Sequence, residues 1–273
     1  MTMEKLELGK YGLPSEQPFD PAALDKMKME SFNQTAGSET GYDCPKCLNR
    51  GKIAFLRPGG GVAIGECDCA KVRRSIRQME RSGLQNVIRE MTFERFQAQE
   101  DWQVHIKDRT MGYAEDPRGW LLLSGQSGSG KTHLCTAVCR QRLLAGDEVR
   151  YMPWRDEISR LKVLSPDSDQ REKLLSDLKT APLLYMDDLF KTGRSADGTA
   201  LPTAADVNIA FEILNYRYIN HLPTIISTEK TPQELLEIDE ATASRIMERA
   251  KGNIIHISRR EKRNYRLRDV MEV

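Results

Sequence analysis

Five short apolar runs punctuate the second half of the chain, at residues 120–124, 149–152, 183–186, 224–227 and 253–257. Longer stretches of helical pattern lie between them. Short, mostly apolar strands interleaved with helices predict a parallel sheet covered on both faces, an α/β fold with five strands. The first helix of this region is expected from about Thr132 to Ala145, ending at Gly146, and residues 154–179 hold two more.

The earlier part of the chain has a different rhythm. Residues 21–32 read as a short helix with Leu24, Met27 and Phe32 as its apolar contacts. It is either a small helix packed on the next module or a partner-binding helix. Two β-prone runs, Ile53-Ala54-Phe55-Leu56-Arg57 and Val62-Ala63-Ile64-Gly65, flank Pro58-Gly59-Gly60-Gly61, which predicts a hairpin. Cys44 and Cys47 precede it, and Cys67 and Cys69 follow it. A hairpin returns the chain to its start and so brings the two cysteine pairs together. Four thiolates suit a closed, tetrahedral structural Zn²⁺. The second pair, C-x-C, is tighter than the usual C-x-x-C, and the alternative is four reduced thiols on a segment with little else to fold it.

A basic stretch follows, with Lys71, Arg73, Arg74, Arg77, Arg81 and Arg89 around the apolar positions Val72, Ile76 and Met79. Gly83 interrupts it before Leu84, Val87, Ile88 and Met91 resume the pattern. It is a solvated linker helix, or else a contact for a nucleic-acid backbone or an acidic surface. The expected division is a helix and four-cysteine zinc module over residues 1–69, a helical connector over 70–98, and a nucleotide-binding domain over 99–273.

The candidate chemistry starts where the first apolar run ends. Gly125-Gln126-Ser127-Gly128-Ser129-Gly130-Lys131-Thr132 fits the phosphate-loop pattern G-x-x-x-x-G-K-[ST] between a strand and a helix. Glycines let backbone N–H groups turn inward around phosphate oxygens, and the helix N-terminus adds partial positive charge. Lys131 then reaches the outer phosphates and Thr132 ligates Mg²⁺. Leu183-Leu184-Tyr185-Met186 ends in Asp187-Asp188, a strand end suited to a Mg²⁺ carboxylate, Asp187, and an acid for the attacking water, Asp188. Cys135 and Cys139, one turn apart after the loop, are expected as small buried groups facing the sheet. His133 is expected to be a plain helix residue.

Composition adds limits. The chain has 273 residues, 39% hydrophobic and 30% charged, with net charge +1. No apolar run approaches the roughly 20 residues of a membrane span, and the first residues lack a signal-peptide pattern. A cytoplasmic protein is expected, and six cysteines there point to metal or buried thiols rather than disulfides. A charge near neutrality means any nucleic-acid site is local.

Together these residues resemble the DnaC/DnaI-type replicative helicase loaders, AAA+ ATPases related to the initiator DnaA and to IstB. The resemblance is carried by residues 119–125 through Thr132-His133-Leu134, and by Tyr151-Met152-Pro153-Trp154-Arg155-Asp156-Glu157. It continues in Leu184-Tyr185-Met186-Asp187-Asp188-Leu189, in residues 226–235, in Ser244-Arg245-Ile246-Met247-Glu248-Arg249 and in Asn264-Tyr265-Arg266. It covers the chain from about residue 90 onward. The cysteine module is similar to the zinc-bearing N-terminal part of the DnaI branch.

The resemblance implies ATP and Mg²⁺ at the phosphate loop, and Arg245 as an arginine finger completing a neighbour's ATP site. Head-to-tail self-association follows from that; the other reading of Arg245 is a surface arginine paired with Glu248 or Glu240. Thr228 falls at the sensor position, where Glu229 departs from the Asn of many relatives, and Arg266 is a second-sensor candidate or part of a basic tail. Asp188 stands where many AAA+ enzymes have Glu, which predicts slow turnover. Residues 154–179 match the region that touches single-stranded DNA, with Arg155, Arg160 and Lys162 as phosphate contacts, or else form a solvated helix pair. Lys191 and Arg194 are candidates for contact with DNA or a neighbour. The implied function is an ATP-dependent loader that binds the hexameric replicative helicase and places it on single-stranded DNA. Alternatives are an IstB-type transposition helper, a P-loop kinase, and a zinc-ribbon adaptor that binds ATP without hydrolysing it.

Overall fold

A computed structural model describes residues 20–79, 87–166, 168–192, 201–259 and 264–265. The chain divides into two compact units, one through Cys67 and one from Asp68 onward.

The first unit holds α1 (Pro21–Gln34), β1 (Lys52–Leu56) and β2 (Val62–Glu66). The strands form the expected antiparallel hairpin, with register from Lys52↔Glu66 to Leu56↔Val62. Asp20 caps α1 by accepting the Ala22 N–H, with Pro21 at the first helical position. The helix packs on the hairpin largely through polar groups. Asn33 both donates to the Ala54 carbonyl (3.0 Å) and accepts the Ala54 N–H (2.8 Å), and Asp25 accepts the Gly61 N–H. Met27, expected as an apolar contact, is instead 63% exposed. The clasp uses side-chain hydrogen bonds where an apolar stripe was anticipated.

The second unit runs α2 (Cys69–Met79), α3 (Val87–Glu90), α4 (Asp101–Glu115), β3 (Trp120–Gly125), α5 (Lys131–Leu144), β4 (Val149–Pro153), α6 (Trp154–Val163) and α7 (Asp169–Thr180). It continues with β5 (Leu183–Asp187), α8 (Ala204–Ile219), β6 (Thr224–Thr228), α9 (Pro232–Ile238), α10 (Glu240–Arg249) and β7 (Ile254–Ile257). Five strands form one parallel sheet in the order β4-β5-β6-β3-β7, as the alternation predicted. Trp120 and Leu122 pack toward the helices on one face, with Ile213 and Leu214 of α8. Leu121 and Leu123 point the other way by the period-two rule and are equally buried. Cys135 and Cys139 on α5 are fully buried, and burial pushes both thiols up. The connector helix is less solvated than its charge implied, because Arg73 is buried beside Val72 while Lys71, Arg74 and Arg77 stay exposed.

One interior cation joins several elements. Arg217 of α8 is fully buried, and among the described residues no carboxylate is a hydrogen-bond partner. Its guanidinium donates to Thr224 Oγ1 and to the carbonyls of Leu178, Lys179, Ala181 and Pro223. Leu178 and Lys179 belong to the last turn of α7, whose carbonyls lack helical partners and whose dipole favours a cation. Burial pulls the Arg217 pKa down to about 9, which still leaves it charged at neutral pH. Arg217→Met is expected to cost about 3 kcal/mol, since buried carbonyls lose their donors. Urea unfolding should show a lower midpoint at unchanged slope, and an unaltered midpoint would refute this account.

Candidate nucleotide site and cysteine cluster

The loop between β3 and α5 is shaped by glycines with positive φ, where a side chain would be strained. Gly125 has φ +112, and a Cβ there would meet the Ile257 carbonyl. Gly128 has φ +72 and lies against Asn264. Gly130 caps α5 in left-handed conformation with Phe96 beside it. Within the loop, Ser129 Oγ donates to the Gln126 carbonyl. Lys131 is buried and its ammonium donates to the carbonyls of Gly125 (2.9 Å) and Gln126 (2.7 Å). Burial lowers its pKa, against the opposing pull of Asp188 and Glu229.

Asp187 ends β5. Strand β6 lies between β5 and β3, so the acid is not on the loop's neighbouring strand but reaches it across β6. Four hydroxyls donate to its carboxylate: Thr132 of α5 (3.2 Å), Tyr151 of β4 (2.9 Å), Tyr185 (2.6 Å) and Ser227 of β6. Both tyrosines are pushed up, first by burial and then by the Asp187 charge. Asp188 follows with φ +58, and its N–H donates to Ser227 Oγ. Burial raises the Asp188 pKa, with Lys191 pulling the other way.

Lys131, Thr132 and Asp188 open on a cavity of about 280 Å³. Its phosphate-loop side is lined by Ser127, Lys131, Thr132, Asp188, Lys191 and Glu229. Its other side is lined by Met91, Phe96, His133 and Tyr265. His133, a residue of α5, turns its ring to this side. Its Nε2 lies 2.8 Å from the Thr92 carbonyl, and its ring is edge-on to Phe96 at 5.3 Å. Tyr265 donates its N–H to the Gly128 carbonyl and its hydroxyl to the Gln97 carbonyl, holding residues 264–265 against the loop. Met91, Arg95, Phe96 and Gln97, within the expected connector, all line this cavity. Tyr265 lies in the Asn264-Tyr265-Arg266 stretch that carries the resemblance, whereas nothing in an isolated Phe96 would have placed it there.

Thr228 does not line the cavity. It is fully buried, donates to the Leu189 carbonyl and accepts the Lys230 N–H, whereas Glu229 faces the cavity. Arg245 stands on α10 away from its own chain's cavity. Its Nε donates to Asn215 Oδ1 (3.0 Å) and its Nη1 to the Ala241 carbonyl, and the guanidinium lies over Phe211 and Tyr218. Glu248 instead accepts from Tyr218. Of the expected DNA contacts, Lys162 is paired with Asp206 (2.5 Å) and Arg160 with Glu157 (3.1 Å), while Arg155 is exposed. Lys191 turns into the cavity, and Arg194 and Arg266 lie outside the described residues.

The four hairpin cysteines converge. Cys44, Cys47, Cys67 and Cys69 are all buried, with sulfurs within 4.8 Å of one another. Cys44 and Cys67 sulfurs are 3.8 Å apart. A tetrahedral Zn²⁺ with Zn–S bonds of about 2.3 Å sets its sulfurs about 3.8 Å apart, so the donor set fits zinc. Gly51 N–H donates to Cys47 Sγ, and Asn49 Oδ1 accepts the Cys44 N–H, which orient the first pair.

A parallel sheet in this order, with a glycine loop after one strand and an acid ending another, defines a P-loop ATPase of the AAA+ kind. The family of IstB-like ATP binding proteins matches residues 65–272, and the chain belongs to that family. It is 31% identical over 253 residues to the phage-like element PBSX protein XkdC of Bacillus subtilis, covering 89% of this chain and 92% of that protein. It is 26% identical over 186 residues to the replicative helicase loader DnaC of Escherichia coli K12, covering 66% of this chain and 71% of DnaC. The fold is similar to that of AMPPCP-bound DnaA from Aquifex aeolicus, with a TM-score of 0.50 and 19% identity over 66% of this chain and 53% of that one. No helix among the described residues is long and apolar enough to cross a membrane.

Gly128→Ala tests the contact of residues 264–265 with the loop. A Cβ at Gly128 would sit 2.0 Å from Asn264 Oδ1, at a positive φ. The substitution should cost about 1–2 kcal/mol in urea unfolding, and Asn264→Gly added to it should recover part of that loss. No recovery would mean that backbone strain alone is responsible.

Proposed function

We propose that this protein is an ATP-dependent loader of the replicative DNA helicase, acting on single-stranded DNA during replication initiation. The observation that carries this reading is the pairing of a complete phosphate-loop site with an Arg245 directed away from it. Residues 125–132 hold the phosphates of ATP, with Lys131 reaching the outer ones. Thr132 and Asp187 are the residues that would hold Mg²⁺, which neutralises phosphate charge when bound. Asp188 orients the attacking water, and its side chain, one methylene shorter than Glu, makes turnover slow. Arg245 serves the site of the next subunit, so that copies associate head to tail. Glu229, rather than Thr228, faces the terminal phosphate, and Arg266 remains a candidate second sensor.

The N-terminal part, residues 1–69, holds structural Zn²⁺ at Cys44, Cys47, Cys67 and Cys69 and grips the hexameric helicase. Residues 70–98 link it to the ATPase part, residues 99–273, and the whole works in the cytoplasm. Similarity to E. coli DnaC supports the loader reading. The IstB-like family match favours, as second reading, a transposition helper ATPase built on the same ATP site.

Native mass spectrometry of the protein with the replicative helicase of its source, with and without ATP, should show a complex. No complex under any nucleotide condition would sink the loader reading. The same spectra should carry zinc as added mass that chelation removes. In single-turnover assays the isolated protein should hydrolyse ATP slowly, and fast hydrolysis would contradict the role given to Asp188.

A further inference from the structure

Three charged groups meet on one wall of the cavity. Lys191 Nζ lies 2.8 Å from Asp188 Oδ2 and 3.0 Å from Glu229 Oε1. The turn that delivers Lys191 is held in an uncommon shape. Asp188 and Phe190 both take left-handed backbone, φ +58 and +59, although neither is glycine. Phe190 is buried edge-on to Trp154, and Leu189 is buried beside it. The Thr228 hydroxyl holds the Leu189 carbonyl, and Lys191 N–H bonds back to the Asp188 carbonyl. The backbone around Lys191 is thus fixed on its near side, and its ammonium is aimed into the cavity.

The charges there are finely balanced. On the phosphate-loop side, the carboxylates of Asp188 and Glu229 oppose the ammonium groups of Lys131 and Lys191. Asp187 lies behind, already bonded to hydroxyls. Arg95 also lines the cavity, so removing Lys191 leaves two cations against the two carboxylates and takes away the one cation that touches both carboxylates, weakening the attraction for a polyphosphate. Each further phosphate adds negative charge, so the loss falls hardest on the longest chain. Phosphate oxygens also compete with carboxylates for the same ammonium through charge-assisted hydrogen bonds. Glu229 is itself tied to the loop, because Lys191 and Ser127 both bond its carboxylate.

We infer that Lys191 is the specificity-determining cation of this site: it exchanges Asp188 and Glu229 for the terminal phosphate of a nucleoside triphosphate, and so sets the preference for triphosphate over diphosphate. Glu229 is its resting partner. The inference rests on the ATP-binding reading above and adds to it a residue that distinguishes the two nucleotides.

Equilibrium titration of the full chain with ATP and with ADP, both with Mg²⁺, tests it. Lys191→Ala should weaken ATP binding about tenfold or more, as expected for a lost charged hydrogen bond, and ADP binding by less than about threefold. Lys191→Arg should keep most of the preference, and Glu229→Gln should increase it by freeing the ammonium. Equal losses for both nucleotides, or an unchanged ratio, would overturn the inference and leave Lys191 a structural neutraliser. Melting curves without nucleotide report whether each variant is folded, and Lys191→Met, which keeps the aliphatic stem, carries the test if the alanine variant is not. Wild type and Lys131→Ala separate the two readings. If wild type binds neither nucleotide, the ATP reading itself fails; if it binds ATP and only Lys131→Ala loses it, the role of Lys191 alone fails.

Discussion

A carboxylate buried at the end of β5 has to be satisfied, because an unpaired buried charge is far more costly than the fold's net stability allows. Asp187 meets this demand with hydroxyls from α5, β4, β5 and β6 rather than with a cation. Each donor fixes the position of its own element against the others. Tyr151 and Tyr185 hold the edge of the sheet, Ser227 bridges the strand between β5 and the phosphate loop, and Thr132 brings in the loop's helix. The order of strands and the aim of the loop therefore converge on one side chain. Hydroxyls are neutral, so they leave the negative charge of Asp187 undiminished for a metal ion.

Ser227 has a second duty. The same hydroxyl that donates to Asp187 accepts the N–H of Asp188. Two successive acids with different surroundings are thereby measured from one atom on β6. Asp187 is enclosed by neutral donors, whereas Asp188 opens on the cavity and faces an ammonium. Adjacent positions in the sequence become chemically unlike through backbone geometry, since the left-handed φ of Asp188 turns it away from its neighbour's surroundings.

The sequence was most readable where chemistry and periodicity coincide. The loop from Gly125 to Thr132 had a fixed pattern, the five strands were mostly apolar, and the cysteine pairs flanked a turn rich in glycine. Those features depend on local sequence, and the structure bears out the sheet and the hairpin. The meeting of Phe96, His133 and Tyr265 was hidden because they come together from separate stretches with no shared pattern. Lys191 and Glu229 were hidden for a related reason: an ion pair across 38 residues leaves no trace in either neighbourhood. Among the basic residues of α6, Lys162 pairs with Asp206 and Arg160 with Glu157, pairings that periodicity gives no sign of. Met27 looked like core because its helix was expected to dock through apolar contacts, whereas Asn33 and Asp25 hold it by hydrogen bonds.

Arg217 has a consequence for how the molecule responds to ionic strength. Its hydrogen-bond partners are a hydroxyl and backbone carbonyls, deep enough that mobile ions do not reach them. Nearby pairs such as Lys179 with Glu212 and Arg171 with Glu212 are partly exposed, and dissolved salt screens them over a Debye length of about 8 Å at physiological strength. The junction of α7, α8 and β6 thus carries two kinds of fastening. One weakens as electrolyte is added, while the other, made of dipoles around a single interior cation, keeps its grip.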